Sequence, residues 1–153
     1  MTTSDPRLAR AQALQLYGVL AHWAECTEAA WLGPLLDWEE AERARRSLER
    51  RLRASRIGRF KPLADFDWAW PAQCDQAAIN ELMTLAFLGT ATNAILVGPS
   101  GLGKTTLAQN IAHQAVLRGH TVLFTTAGQL LGELAALDSD SALRRRLSHY
   151  ATP

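Results

Sequence analysis

The chain has 153 residues, of which 48% are hydrophobic and 20% are charged, and its formal net charge is +1. This length and composition are typical of one globular domain, with or without an appendage. No apolar run approaches the roughly 20 residues that a transmembrane helix needs, and the polar start lacks the apolar core of a signal peptide. We therefore expect a cytoplasmic protein with no membrane-spanning segment.

The cysteines and histidines do not suggest a metal site. Cys26 and Cys74 are far apart, and the four histidines show no ligand spacing. Neither pattern matches a zinc site or a paired-thiol motif. We expect reduced thiols and no metal site built from side chains alone.

Two amphipathic helices are predicted at the start of the chain. The first spans Arg7–Ala24, with alanines, leucines and Trp23 along one stripe. Thr27 is a suitable N-cap for a second helix that reaches Leu52. Acidic residues fill the first half of this helix and arginines the second half, an order that suits the helix dipole.

A run of basic residues extends beyond the second helix. Glu49 and Arg53 are spaced as an i,i+4 pair, so part of the charge is consistent with an ordinary salt-bridged helix face. From Arg50 to Lys61, however, there are six basic residues and no acidic one. Such a run neutralises phosphates and binds DNA without sequence preference. The sequence thus predicts DNA contact by a basic arm, which consists of Arg50, Arg51, Arg53, Arg56, Arg59 and Lys61.

Residues 60–74 have the composition of a packed, irregular linker. They contain two prolines and three alternating aromatic residues, Phe66, Trp68 and Trp70. Two interpretations remain open: the aromatic side chains seal the linker onto a core, or one of them lies near a nucleotide base.

Helical and strand patterns alternate after the linker. Asp75 is a suitable N-cap for a helix that Gly89 ends. Apolar runs separated by helices predict an α/β fold with a parallel sheet covered by helices. The predicted elements are a helix at 76–88, a strand at 94–97, a helix at 105–118, a strand at 120–126 and helices at 127–137 and 141–150.

Residues 98–105 read GPSGLGKT and match the phosphate-binding pattern G-x-x-x-x-G-K-[ST]. Glycines allow successive amides to converge on a phosphate, while Lys104 would reach the β- and γ-phosphates and Thr105 would complete a Mg²⁺ site. The alternative, a glycine-rich turn with a solvated lysine, is disfavoured by the strand predicted before the loop and the helix predicted after it. The predicted nucleotide-binding residues are Gly98, Pro99, Ser100, Gly101, Leu102, Gly103, Lys104, Thr105 and Thr106.

Four stretches of sequence carry a more specific signal than the loop alone. They are LLDWEE through RRSLERRLR, RIGRFKPLADFDW, NAILVGPSGLGKT and RGHTVLFTTA. Together they resemble the IstB-like ATPases, helper proteins of insertion-sequence transposition that are related to the DnaC helicase loader within the AAA+ group. The resemblance implies a P-loop sheet of the AAA+ type preceded by an N-terminal helical region. It also implies ATP and Mg²⁺ as ligands, DNA and a transposase as partners, and side-by-side assembly of copies.

The resemblance also divides the chain into parts. We expect an N-terminal helical, basic region at 1–59, a linker at 60–74 and the first part of an AAA+ ATP-binding domain at 75–153. Members of the family continue into an apolar strand that ends in Asp, the Walker B element, which does not appear before Pro153. The resemblance implies a partial sheet in which the two predicted strands are not neighbours, so either they pair with each other in a way that the complete family does not show or the C-terminal part is loose. The expectation is a truncated chain that binds ATP without competent hydrolysis.

Three functions are compatible with these patterns. The first is an ATP-binding, DNA-binding helper of transposition. The second is an adaptor similar to a helicase loader, whose N-terminal helices grip a helicase instead of a transposase. The third is an inactive remnant that acts only as an interaction module.

Overall fold

A computed structural model describes residues 5–69 and 74–151 of the chain. Within these residues the regular structure is helical, with no β-strand. The chain divides into two compact units, Met1–Glu49 and Arg50–Pro153. The helices are α1 (Pro6–Ala13), α2 (Tyr17–Ala21), α3 (Trp23–Cys26), α4 (Leu32–Ser55), α5 (Gln76–Thr84), α6 (Ala86–Gly89), α7 (Lys104–Leu117), α8 (Ala127–Ala135) and α9 (Asp140–Ala151), with a short 3-10 helix at Leu63–Asp65.

The first unit begins with three short helices rather than one. The Asp5 carboxylate accepts a hydrogen bond from the Arg7 amide at 2.9 Å, which caps α1. The prediction of one helix over Arg7–Ala24 is wrong, because α1 ends before Leu14 and Gln15 has a φ of 53°. A residue in this left-handed region interrupts a right-handed helix.

The core of the first unit lies between α1 and the start of α4. Its buried side chains belong to Ala11, Leu14, Leu32 and Leu36. At its edge, the Arg10 guanidinium forms ion pairs with Asp37 at 2.5 Å and with Glu40 at 2.7 Å. These contacts explain why α1 packs on the acidic half of α4.

Helix α7 organises part of the second unit through two amide side chains. Asn110 is buried; its Nδ2 donates to the carbonyl of Lys61 at 2.9 Å, and its Oδ1 accepts from the Leu63 amide at 2.8 Å. Gln109 donates to the Ile57 carbonyl at 2.9 Å. These bonds satisfy backbone groups that would otherwise need water, and they fasten residues 57–63 to α7.

Two helix starts after the linker are capped by side chains, and one of these caps was predicted. The Asp75 carboxylate accepts from the Ala78 amide at 2.9 Å, so the predicted cap of α5 is confirmed. Thr126 and Gln129 form a capping box at the start of α8. The helix predicted at 76–88 is divided in two, because Leu85 has a φ of 65° and separates α5 from α6.

The predicted parallel sheet is wrong, since neither 94–97 nor 120–126 is a strand. Ile95 is 82% exposed and Val97 is 89% exposed, so this run packs against no second layer. In the other run, the Phe124 amide donates to the Ser55 carbonyl at 2.7 Å instead of to a strand. β-Branched residues favour extended backbone, but a sheet exists only where two extended segments exchange hydrogen bonds.

The helices in the described ranges are too short or too polar to cross a lipid bilayer. The longest of them, α4, carries charged residues along most of its length. This finding agrees with the absence of long apolar runs in the sequence.

Candidate functional site

The loop that precedes α7 contains two glycines with left-handed backbone conformation. Gly101 has a φ of 82° and Gly103 a φ of 81°, in the left-handed region that favours glycine. Gly98, the first glycine of the motif, does not share this conformation. Alternation of right- and left-handed residues turns successive amides toward one point, as in a phosphate nest.

The loop leads directly into the N-terminus of α7. Gly103 is the N-cap residue, and in the described part of the chain no side chain caps this helix end. The Lys104 ammonium lies back over the loop and donates to the Pro99 carbonyl at 2.5 Å. Open amides, the positive end of the helix dipole and an ammonium group together fit the phosphates of a nucleotide. The Thr105 hydroxyl, exposed in the first turn of α7, is the group that would contribute to holding Mg²⁺.

An aromatic pair from the linker covers one side of the loop. A methyl group at Gly103 would lie 2.6 Å from Cε2 of Phe66, so this ring contacts the glycine directly. Phe66 in turn packs edge-on against Trp68, with ring centroids 4.8 Å apart. Of the three alternating aromatic residues, Trp70 lies outside the described residues. The contact shows that the linker packs on the loop.

A cleft of about 700 Å³ adjoins the loop. It is bounded by α5, α6, the extended residues 92–98 and the first turn of α7. Its volume lies in the range of small-molecule sites. Its floor is largely apolar, with side chains that include Ile79, Leu82, Phe87 and Ile95.

The basic arm is divided between the end of α4 and the segment that follows it. Arg50 and Arg53 are three residues apart on α4, so they lie on neighbouring parts of one exposed helix face. Arg51 points elsewhere, because its Nε donates to the Val116 carbonyl at the end of α7 at 3.4 Å. Arg59 and Lys61 are exposed on the segment that α7 holds. The structure therefore does not bring all six basic side chains to one face.

Arg56 has an acidic partner far away in the sequence. Its Nη1 lies 2.9 Å from Oε1 of Glu133 on α8. The hydrogen bond from Tyr150 and then that from Arg56 hold the pKa of Glu133 below its ordinary value, so this carboxyl group is ionised at neutral pH.

Sequence patterns missed the polar side chains that fasten the basic arm to the phosphate-loop helix. Gln109 and Asn110 lie in the middle of α7. Their polar side chains among apolar neighbours were the sequence signal that could have identified them. A buried amide usually has hydrogen-bonded partners. The pattern could not show that the partners are backbone groups of residues 57–63, because those residues precede α7 by about fifty positions.

No group of three or more candidate metal ligands occurs among residues 5–69 and 74–151. Cys26 and Cys74 are both free thiols. The candidate site is therefore defined by the glycine loop, Lys104 and the helix end.

Comparison with known proteins gives a consistent result. The family model described as IstB-like ATP binding protein matches residues 6–153. The ATP-binding protein named for insertion sequence IS5376 of Geobacillus stearothermophilus is 33% identical over 119 residues, covering 78% of this chain and 47% of the relative. The one named for IS21 of Pseudomonas aeruginosa is 37% identical over 109 residues, covering 71% and 41%. An insertion-sequence ATP-binding protein of Mycobacterium tuberculosis is 31% identical over 163 aligned positions, covering 100% and 65%.

The chain spans about half the length of the first two relatives. The match nevertheless includes the N-terminal helices, the linker and the glycine loop, since it runs from residue 6 to residue 153. A family match over nearly the whole chain, with relatives more than 30% identical, shows that this chain belongs to the IstB-like ATP-binding proteins of insertion sequences.

Proposed function

We propose that this chain binds ATP with Mg²⁺ through Gly98–Thr106 and contacts DNA through its basic arm, as a helper of a transposase. The observation that carries the nucleotide part is the conformation of Gly101 and Gly103 at the open N-terminus of α7. The three relatives described above are named for insertion sequences, which supports transposition as the process. ATP and the DNA of the cell are both found in the cytoplasm, so the function belongs in that compartment.

The proposed roles divide among the loop residues by chemistry. Gly98, Pro99, Ser100, Gly101, Leu102 and Gly103 shape the loop and present its amides to phosphate oxygens. Lys104 neutralises the outer phosphates, Thr105 contributes its hydroxyl to the Mg²⁺ site, and Thr106 lies beside it in the first turn of α7. Mg²⁺ would supply charge neutralisation between the phosphates.

Lys104→Ala tests the nucleotide site. We expect ATP to bind roughly 10- to 100-fold more weakly to this variant, the loss that follows from removing one charged hydrogen bond. Equilibrium titration with a fluorescent ATP analogue and Mg²⁺ measures the change. The control is Arg145→Ala, which removes an exposed cation from α9 and should bind as the unaltered chain does. Equal affinities for Lys104→Ala and the unaltered chain would rule the site out.

The DNA part is tested by removing two exposed arginines from α4. In Arg50→Ala/Arg53→Ala we expect weaker binding to duplex DNA and a plot of log K against log salt that is flatter by about two units, near 0.9 for each lost phosphate contact. Fluorescence anisotropy at several salt concentrations gives both quantities.

The matched control is Arg45→Ala/Arg46→Ala, which removes the same charge from the same helix. Both of these arginines pair with Glu42, at 2.8 and 2.7 Å, so they are less available to phosphates. If the two double variants lose the same affinity and slope, net charge alone explains the binding and the basic arm has no special role.

The proposed partner is the transposase encoded by the same insertion sequence, and copies of the chain are proposed to assemble on DNA. Purified transposase added to the chain–DNA complex provides the test. A further increase in anisotropy, with a saturating stoichiometry, is the expected result. An unchanged anisotropy would count against the partnership.

A further inference from the structure

Three hydrogen-bond donors converge on one carboxylate in the second unit. Arg56 Nη1 lies 2.9 Å from Oε1 of Glu133. Arg146 Nη1 lies 3.2 Å from Oε2 of the same side chain, and the Tyr150 hydroxyl donates to that oxygen at 2.8 Å. Arg56 follows α4, Glu133 lies on α8, and Arg146 and Tyr150 are four residues apart on one face of α9.

This cluster carries an excess of positive charge and is open to solvent. Two guanidinium groups face one carboxylate, so its formal charge is +1. The side chains of Arg56, Arg146 and Glu133 are 49%, 37% and 30% exposed. The hydrogen bond to Glu133 raises the pKa of Tyr150, so the phenol remains protonated and acts as a donor. All three donors are bonded to Glu133, and both guanidinium groups are partly exposed to solvent.

The backbone holds Arg56 in place while its side chain remains accessible. Ser55 is fully buried and its carbonyl accepts from the Phe124 amide, while Ile57 is 6% exposed. Arg56 itself has a φ of 54°, which ends α4 and directs the next residues toward α7. The backbone on both sides of Arg56 is thus buried, whereas its side chain is 49% exposed.

The donor set is the kind that recognises a phosphodiester. Guanidinium groups bind carboxylate and phosphate oxygens with the same planar geometry, and a phenol supplies a further hydrogen bond. Arg56 lies in the stretch from Arg50 to Lys61 that contains no acidic residue, so its carboxylate partner comes from α8, 77 positions away. The Glu133 carboxylate thus presents to these donors the same kind of charged oxygen acceptor that a phosphate group has.

We propose that Arg56, Arg146 and Tyr150 form a binding site for a phosphodiester of nucleic acid, and that Glu133 closes this site as an internal competitor. The proposal rests on the proposed DNA contact by the basic arm and extends it to α9. DNA must therefore displace the Glu133 carboxylate to bind this site. Glu133 on α8 thus lowers the affinity of the chain for DNA.

Glu133→Gln is the direct test, since the amide keeps the size of the side chain and removes its charge. Binding of the full chain to a mixed-sequence duplex of about 20 base pairs is measured at several salt concentrations. We expect roughly 3- to 10-fold tighter binding and a log–log salt slope steeper by about one unit, the signature of one added phosphate contact. The control, Glu81→Gln, removes the same charge from α5 and should leave the slope unchanged.

A second pair of variants provides the test if Glu133→Gln lacks a cooperative thermal transition. Arg146→Ala and Arg145→Ala each remove one arginine from α9, but Arg146 is the one that reaches Glu133. Both are placed in Glu133→Ala, which also removes the competing carboxylate; there Arg146→Ala should flatten the salt slope by about one unit, whereas Arg145→Ala should have a smaller effect. Equal effects of the two variants would overturn the proposal.

The possible outcomes distinguish the proposed site closed by Glu133 from the broader proposal that the basic arm contacts DNA. If Glu133→Gln behaves as Glu81→Gln does while Arg50→Ala/Arg53→Ala weakens binding, the closed site is wrong and DNA contact by the basic arm stands. If neither the unaltered chain nor any variant binds duplex DNA, both proposals are wrong. A steeper slope in Glu133→Gln that Arg146→Ala reverses supports the closed site.

Discussion

Gly103→Ala is expected to abolish most ATP binding, with a larger effect than the loss of Lys104. Gly103 has a φ of 81°, which costs alanine roughly 1–2 kcal/mol. The added methyl group would also lie 2.6 Å from Cε2 of Phe66, and such overpacking costs about 1–3 kcal/mol. Together these costs of about 2–5 kcal/mol correspond to roughly a 30-fold to more than 1,000-fold loss, because the loop must leave the phosphate-binding conformation.

The two costs can be measured separately. Phe66→Ala/Gly103→Ala removes the clash and keeps the backbone strain, so it should recover part of the affinity relative to Gly103→Ala. Gly98→Ala is the matched control in the same loop, since its methyl group would meet Leu102 at an ordinary 3.7 Å and its φ lies outside the left-handed region. Titration with the fluorescent ATP analogue compares the variants. Unchanged affinity in Gly103→Ala would show that the loop binds nucleotide in another conformation.

Leu36→Ala is expected to destabilise the first unit by about 2–5 kcal/mol. Leu36 is 0% exposed and packs with Ala11, Leu14 and Leu32, so truncation leaves a cavity in a core of few side chains. Hydrogen exchange of amides in residues 5–49 reports the local free energy of opening without assuming that the whole chain unfolds in one step.

The control for this prediction is Trp38→Ala on the same helix. Trp38 is larger than Leu36 but is 68% exposed, so its removal should change the opening free energy by less than about 0.5 kcal/mol. Faster exchange in Trp38→Ala than in Leu36→Ala would contradict the placement of the core between α1 and α4.

Local sequence predicted the start of α5 correctly, because the Asp75 carboxylate and the Ala78 amide are three positions apart. The N-cap predicted at Thr27 is wrong, since α4 begins at Leu32. The break at Gln15 was not predicted either. Gln15 follows the buried Leu14 and adopts the left-handed conformation, which is unusual for a residue other than glycine.

The two apolar runs predicted as strands are the part of the fold that the sequence pattern predicted wrongly. Residues 94–97 and 120–126 have the composition of buried strands, yet Val97 is 89% exposed and Phe124 bonds to Ser55. Composition measures how well a side chain fits a sheet, whereas a sheet also needs a second extended segment at hydrogen-bonding distance. Whether such a second segment is present depends on the tertiary structure.

The sequence by itself determined the position of the glycine loop, the order of most helices and the family, because each depends on residue types at short, regular spacing. Only the tertiary structure decided that the two apolar runs stay unpaired, that Phe66 lies on Gly103, and that Arg56 is held by Glu133. Phe66 and Gly103 are 37 positions apart in the sequence, and Arg56 and Glu133 are 77 positions apart. The energy of such a contact depends on the distance between the two residues in space, which their separation along the chain does not reveal.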